Sequence, residues 1–90
     1  MNLSPWLLSF KVGWDTHFFT FDPETKKRIL AKFEHMKQPL LSRGLHSTRF
    51  CVEEVGQYRI AFYLNEETRT KEIHFVDTHK QYEKWYKSID

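Results

Sequence analysis

The chain has few of the residues that break or cross-link a backbone: one cysteine, Cys51, with three prolines and three glycines in 90 residues. A lone cysteine excludes an internal disulfide and the stapled scaffolds of small secreted domains. Scarce Pro and Gly, with no low-complexity tract, linker or internal repeat, argue against a disordered tail. A chain of this length holds one hydrophobic core, so residues 1–90 read as a single domain. No apolar run approaches the roughly 20 residues of a membrane-spanning helix. The start of the chain carries an apolar patch, Trp6, Leu7 and Leu8, but no basic lead or small-residue cleavage site. The expected location is a reducing cytoplasm, away from membranes. His17, His35, His46, His74 and His79 show no ligand-like spacing, so neither a metal nor a cofactor is expected. No glycine-rich phosphate loop or nucleophilic-serine motif supports nucleotide hydrolysis.

What the chain does have is bulk: 40% of residues are hydrophobic and 17% aromatic, enough to fold without a staple. The net charge of +2 is compatible with nucleic acid but too small for binding by electrostatics alone. A nucleic-acid function must therefore rest on where particular cations converge.

Periodicity supplies the elements. Leu7 to Trp14 alternates partly and reads as a first strand, followed by an ambiguous aromatic stretch from Asp15 to Phe21. A helix is predicted from Pro23 to about Lys37. Asp22 caps it, Pro23 suits its first position, and Ile29, Phe33, Met36 and Leu40 form its apolar stripe, widened by Leu30. Pro39 stops it, and Ser42-Arg43-Gly44 reads as loop. From Ser47 the period becomes two. Thr48, Phe50 and Val52, then Tyr58, Ile60, Phe62 and Leu64, then Ile73 and Phe75 each define one strand face. His79 to Ile89 has the spacing of a short closing helix. The expected fold class is α+β, with an antiparallel sheet of about four strands, helices packed on one face and a short C-terminal helix.

Register decides which side chains meet. A three-residue loop, Glu54-Val55-Gly56, sets Phe50 opposite Ile60 and Val52 opposite Tyr58, and keeps the apolar faces together. That register leaves Arg49 and Arg59 on the face away from the core, with Arg59 opposite Cys51. Pairing Phe62 with Phe75 then sets Thr78 opposite Arg59 and His74 opposite Tyr63. Arg49, Arg59 and the Thr78-His79-Lys80 corner are expected to line one surface.

Two segments carry a resemblance. Asp22-Pro23-Glu24-Thr25-Lys26-Lys27-Arg28-Ile29-Leu30, followed after a loop by Val55-Gly56-Gln57-Tyr58-Arg59-Ile60-Ala61-Phe62-Tyr63, resembles the RelE/ParE superfamily of toxins from type II toxin–antitoxin systems. The ending Thr78-His79-Lys80-Gln81-Tyr82 looks most like members of the HigB type, and the similarity runs from about Phe10 to Ile89. It implies a RelE-like toxin domain that docks on the ribosome, cleaves mRNA and is held inactive by a cognate antitoxin protein. By position, Arg59 matches the strand arginine that faces the scissile phosphate, and Arg49 a second basic position. His79 and Tyr82 match C-terminal acid–base and stacking positions. Arg43 is what remains of a lysine-rich stretch before the second strand.

Metal-free RNA cleavage by 2′-hydroxyl attack needs a base, cations for the charged phosphorane, and an acid for the leaving oxygen. Arg59, Arg49 and His79 are the candidate catalytic residues, and Lys80, Tyr82 and Arg43 the candidate RNA contacts. Four of them have a plainer reading: Arg59 pairing with Glu53, His79 capping the last helix, Tyr82 packing in the core, Lys80 merely exposed. Two other functions fit the same resemblance, a ParE-like gyrase-inhibiting toxin and a non-catalytic binding module.

Overall fold

A computed structural model describes residues 5–38 and 50–88. The elements run β1 (Leu7–Phe10), a 3-10 turn (Phe18–Thr20), α1 (Pro23–Met36), β2 (Phe50–Val55), β3 (Tyr58–Asn65), β4 (Thr70–Thr78) and α2 (His79–Ser88). The fold is α+β with one four-stranded sheet in the order β1-β4-β3-β2.

The helix α1 forms for the local reasons its sequence offers. Asp22 stays extended and its carboxylate accepts the Thr25 amide, while Pro23 fills the first helical position, where a missing N–H costs nothing. Ile29, Phe33 and Met36 are buried, 0%, 5% and 2% exposed, and define the packed stripe. Leu30, expected to widen that stripe, is instead exposed, and Leu40 lies outside the described residues.

The sheet departs from the expected pattern in three ways. It is mixed, because β1 is shorter than expected and pairs parallel with β4, Leu7 to Phe10 beside Thr70 to Ile73. The β2–β3 hairpin closes through a two-residue turn, Gly56-Gln57, so Val55 faces Tyr58 and Phe50 faces Tyr63. The expected loop placed Phe50 opposite Ile60, three positions away, and an odd shift turns one strand over relative to the other. Between β3 and β4, Ala61 pairs with Phe75 but Phe62 with Ile73, leaving His74 as the extra residue of a bulge. Asp77, not Thr78, therefore sits opposite Arg59, and Glu72, not His74, opposite Tyr63.

These registers bury both faces of the sheet. On one face Val55, Ile60, Phe62, Ile73 and Val76 pack with Phe18 and the α1 residues Ile29, Phe33 and Met36. On the other, Val52 and Ala61 pack with Tyr82 of α2, and Phe75, Trp85 and Tyr86 close over them. The Phe75 and Trp85 rings lie parallel at 5.3 Å. The helices thus flank the sheet instead of sharing one face. Strands β2, β3 and β4 alternate poorly in apolar character because α1 packs on one of their faces and α2 on the other.

The connection between β1 and α1 is held by rings and by the edge of β4. Trp14 contacts Phe10, Phe18 and Phe33, and its carbonyl accepts the Val76 amide at 3.3 Å. Phe21 reaches the Tyr58 ring at 4.8 Å. The segment from Trp14 to Phe21 is thereby strapped from the edge of β4 towards β3.

The helix cap supplies a test. The Thr25 hydroxyl, and then its amide, hold the Asp22 carboxyl below its usual range. A lowered folded-state pKa gives stability that is present above the unfolded value and is lost as pH falls through the folded one. Asparagine caps about as well as aspartate. Asp22→Asn should therefore match the wild type in urea midpoint at pH 7 and lose less of it below about pH 4. Parallel acid losses in both proteins would count against this cap.

Candidate functional site

The cleft at the end of the sheet is built by three junctions. The first is the turn Gly56-Gln57, where Gly56 takes φ 57°, a left-handed position that favours glycine. A Cβ there would stand 2.9 Å from the Arg28 guanidinium, the movable end of a long side chain, so it is the dihedral that calls for glycine. The second is the β4–α2 corner. Thr78 caps α2 through its hydroxyl, which accepts the Gln81 amide at 3.3 Å. The third joins the other two: the His79 amide donates to the Gln57 carbonyl at 2.7 Å.

Gly56, Gln57, Arg59, Thr78, His79 and Lys80 line the resulting open cleft of about 450 Å³. Arg59 comes from β3 and the other cationic groups from the start of α2, so residues some twenty positions apart converge here. The expected meeting of Arg59 with the Thr78-His79-Lys80 corner is present, reached through a register one residue from the expected one. Arg49 and Arg43 lie outside the described residues. Arg59 stands on the sheet face opposite Ile60 and Phe62, as alternation requires.

Arg59 is held by its own hairpin. Its Nη1 donates to the carbonyls of Gly56 at 3.0 Å and Tyr58 at 2.9 Å, and its Nη2 lies 3.8 Å from Glu54. The side chain is 17% exposed, so one edge of the guanidinium is fixed and part of it still meets solvent. Its acidic neighbour is Glu54, its cross-strand partner, and not Glu53. Glu53 points to the other face and pairs with Lys32 of α1 at 3.4 Å. His79 does not cap α2. It is the first helical residue, and its Nε2 meets Glu83 one turn on at 2.9 Å, with both side chains about half exposed. Lys80 is exposed beside it.

Tyr82, read from the sequence as a stacking residue, is a core residue 7% exposed, packed against Val52 and Ala61 and near Trp85 and Tyr86. Burial pushes its phenol up, Tyr86 adds to that, and Arg59 pulls the other way. Its hydroxyl end is therefore within electrostatic range of Arg59, and the phenol stays protonated at neutral pH.

One pairing beside the cleft was not legible beforehand. Asp77, directly opposite Arg59 on the β3–β4 ladder, is 2% exposed. Its Oδ1 accepts the Thr78 amide at 2.8 Å, and its Oδ2 accepts from Nδ1 of His17. The partners are sixty positions apart, and neither stands in a spacing that suggests the contact.

A further charge is buried under the sheet. Lys71 is 2% exposed, with its ammonium 5.4 Å from the Phe62 ring and 5.6 Å from the Trp6 ring. Desolvation lowers its pKa, while Glu53 and Cys51 oppose that. Burial pushes the Cys51 thiol up. This group lies on the α1 face, away from the cleft.

Comparison with known proteins places the architecture. No protein-family model matches the chain, and no curated protein matches it by sequence. Solved structures do match. The RelBE2 toxin–antitoxin complex of Mycobacterium tuberculosis aligns with TM-score 0.70 at 18% identity, covering 86% of this chain and 94% of that one. The intact Escherichia coli RelBE complex gives 0.69 at 12% identity, covering 81% and 95%. The isolated E. coli RelE toxin gives 0.68 at 13%, covering 94% and 99%.

The capping geometry separates two roles at the corner. Thr78→Val removes the hydroxyl cap and should cost about 1 kcal/mol, lowering Tm by roughly 4–8 °C in a domain of this size. His79→Gln breaks only an exposed i,i+4 pair, worth about 0.3–0.5 kcal/mol, and should move Tm by no more than about 3 °C. The reverse order in thermal melts would assign the cap to His79. From β1 to α2, the chain has the fold of the RelE toxins.

Proposed function

We propose that the protein is the toxin of a type II toxin–antitoxin system and a ribosome-dependent endonuclease of mRNA, held inactive by a cognate antitoxin. The observation that carries this reading is the convergence of Arg59, Thr78, His79 and Lys80 on one cleft in a RelE-like fold. Such a cleft has the parts that metal-free cleavage needs. The remaining donors of Arg59 suit the equatorial oxygens of a phosphorane, since a guanidinium stays charged and its planar fork matches phosphate. Its Nη1 bonds to the turn fix its direction before substrate arrives, which is the condition for electrostatic catalysis. The half-exposed imidazole of His79 suits proton transfer, and Lys80 suits a phosphate beside the reacting one.

A second reading has its own support. Arg59 already serves two carbonyls and stands near Glu54, and the net charge is only +2. A cleft so engaged also fits a non-catalytic binding module or a gyrase-inhibiting toxin of the ParE kind.

Primer extension on mRNA after induced expression separates these readings. Discrete cuts within translated codons support the nuclease. DNA damage with intact transcripts supports gyrase inhibition, and neither effect supports a silent module. In single-turnover cleavage on programmed ribosomes, Arg59→Ala should lower the rate on the order of 10²–10³-fold, the range for loss of one preorganised donor. His79→Gln should lower it about 10²-fold and alter the pH profile. Full activity in a folded Arg59→Ala protein rules the nuclease out. Co-expression of the neighbouring reading frame should restore growth through a stable complex.

A further inference from the structure

Two arginines from different elements close on the same glycine. Arg59 of β3 donates from Nη1 to the Gly56 carbonyl at 3.0 Å. The guanidinium of Arg28, from α1, lies over the bare Cα of that residue, 2.9 Å from the place a Cβ would take. One residue spans little more than the Cα–Cα repeat of about 3.8 Å, so the two guanidinium groups stand within about 10 Å of each other. They keep different company. Arg59 has two carbonyls and, at 3.8 Å, Glu54. Arg28 is exposed, and among the described residues it makes no ion pair.

Arg28 belongs to a helix face. Lys32 and His35 follow it one and two turns on, so the three share a side of α1, with the small Ala31 between them. Together with Glu54 and Gly56 they line a second open hollow, of about 430 Å³. The cleft of Arg59 opens beside α2, and Gly56 lines both. The two hollows therefore adjoin at the turn. Lys32 is engaged with Glu53 at 3.4 Å, which leaves Arg28 as the charged group open to a ligand.

The spacing of the two arginines selects the ligand. A guanidinium fork matches phosphate, and a chain with a phosphate at every nucleotide can meet both forks at once. A single strand can also bend over a turn whose two sides lie under different helices, which a duplex resists. We propose that Arg28 is a second phosphate-binding residue for single-stranded RNA, gripping the strand within a nucleotide or two of the phosphate at Arg59 as it crosses the Gly56 turn. This inference rests on the RNA reading of the cleft given above. It adds a binding contact that takes no part in bond breaking.

The test compares Arg28→Gln with Lys87→Gln in the full-length protein. Each removes one exposed positive charge, but Lys87 lies in the last turn of α2, about 12 Å along the helix from His79. Binding of a short labelled single-stranded RNA is followed by fluorescence anisotropy over a series of salt concentrations. Arg28→Gln should weaken binding on the order of 10-fold and flatten the slope of log K against log salt by about 0.7, the share of one phosphate on a single strand. Lys87→Gln should leave the slope unchanged, and both variants should melt near the wild type. On programmed ribosomes, the concentration for half-maximal single-turnover cleavage should rise in Arg28→Gln while the maximal rate stays within about twofold, the opposite split from Arg59→Ala. Wild-type affinity and slope in Arg28→Gln, or an equal loss in Lys87→Gln, overturns the inference and leaves the nuclease reading standing. A maximal rate that falls as far as in Arg59→Ala overturns it as well. RNA that is bound with an Arg28-dependent slope but never cut removes the nuclease reading and supports the contact, whereas a wild-type protein that binds no RNA removes the contact.

Discussion

The two-residue turn at Gly56 and Gln57 is the point on which the rest of the structure depends, because contacts from three other elements end there. Its left-handed φ of 57° closes the β2–β3 hairpin at the position glycine takes in tight hairpin turns. The Gly56 carbonyl orients Arg59, the Gln57 carbonyl receives the first amide of α2, and the bare Cα of Gly56 admits the Arg28 guanidinium of α1. A loop one residue longer would shift β2 against β3 and turn its residues to the wrong faces, and a side chain at Gly56 would strain the left-handed φ that closes the turn. The turn is also where the sheet meets α2, through the His79 amide on the Gln57 carbonyl. The hairpin's register and the geometry of the cleft are thus one constraint.

That constraint also explains what the sequence made legible. The helix α1 was readable to within a residue of its end, because Asp22, Pro23 and the spacing of Ile29, Phe33 and Met36 are local signals. The α2 span was equally readable. Register was not, because Val52, Ala61 and Phe75 are packed under α2 while Ile60, Phe62 and Ile73 are packed under α1. A hairpin apolar on both faces satisfies more than one pairing, so the rule that apolar faces meet selected the loop Glu54-Val55-Gly56 where the chain turns at Gly56-Gln57. The bulge at His74 adds an extra residue that no periodicity announces. The Arg59 corner remained legible because a shift of one residue moves Asp77 into the place expected for Thr78 without moving the start of α2 away.

Among the described residues several cations are paired locally. Lys11 lies near Glu72, Lys32 near Glu53, Lys37 near Glu34 and Arg59 near Glu54, so many cations have an acidic neighbour within 4 Å. Exposed pairs of this kind contribute little to stability and are screened by salt. At the cleft the acidic neighbour of Arg59 is Glu54, at 3.8 Å and itself 46% exposed.

Two histidines, His79 at the cleft and His17 on the strap before α1, each contact a carboxylate, and the two contacts differ in burial. His79 and Glu83 are 49% and 52% exposed, so their contact competes with water and the imidazole can turn away from it. His17 is as exposed as His79, but Asp77 is 3% exposed and is already bound by the Thr78 amide. Breaking that contact leaves a buried carboxylate short of a donor, which costs several times more than breaking an exposed pair. One imidazole is therefore adjustable and the other fixed in direction.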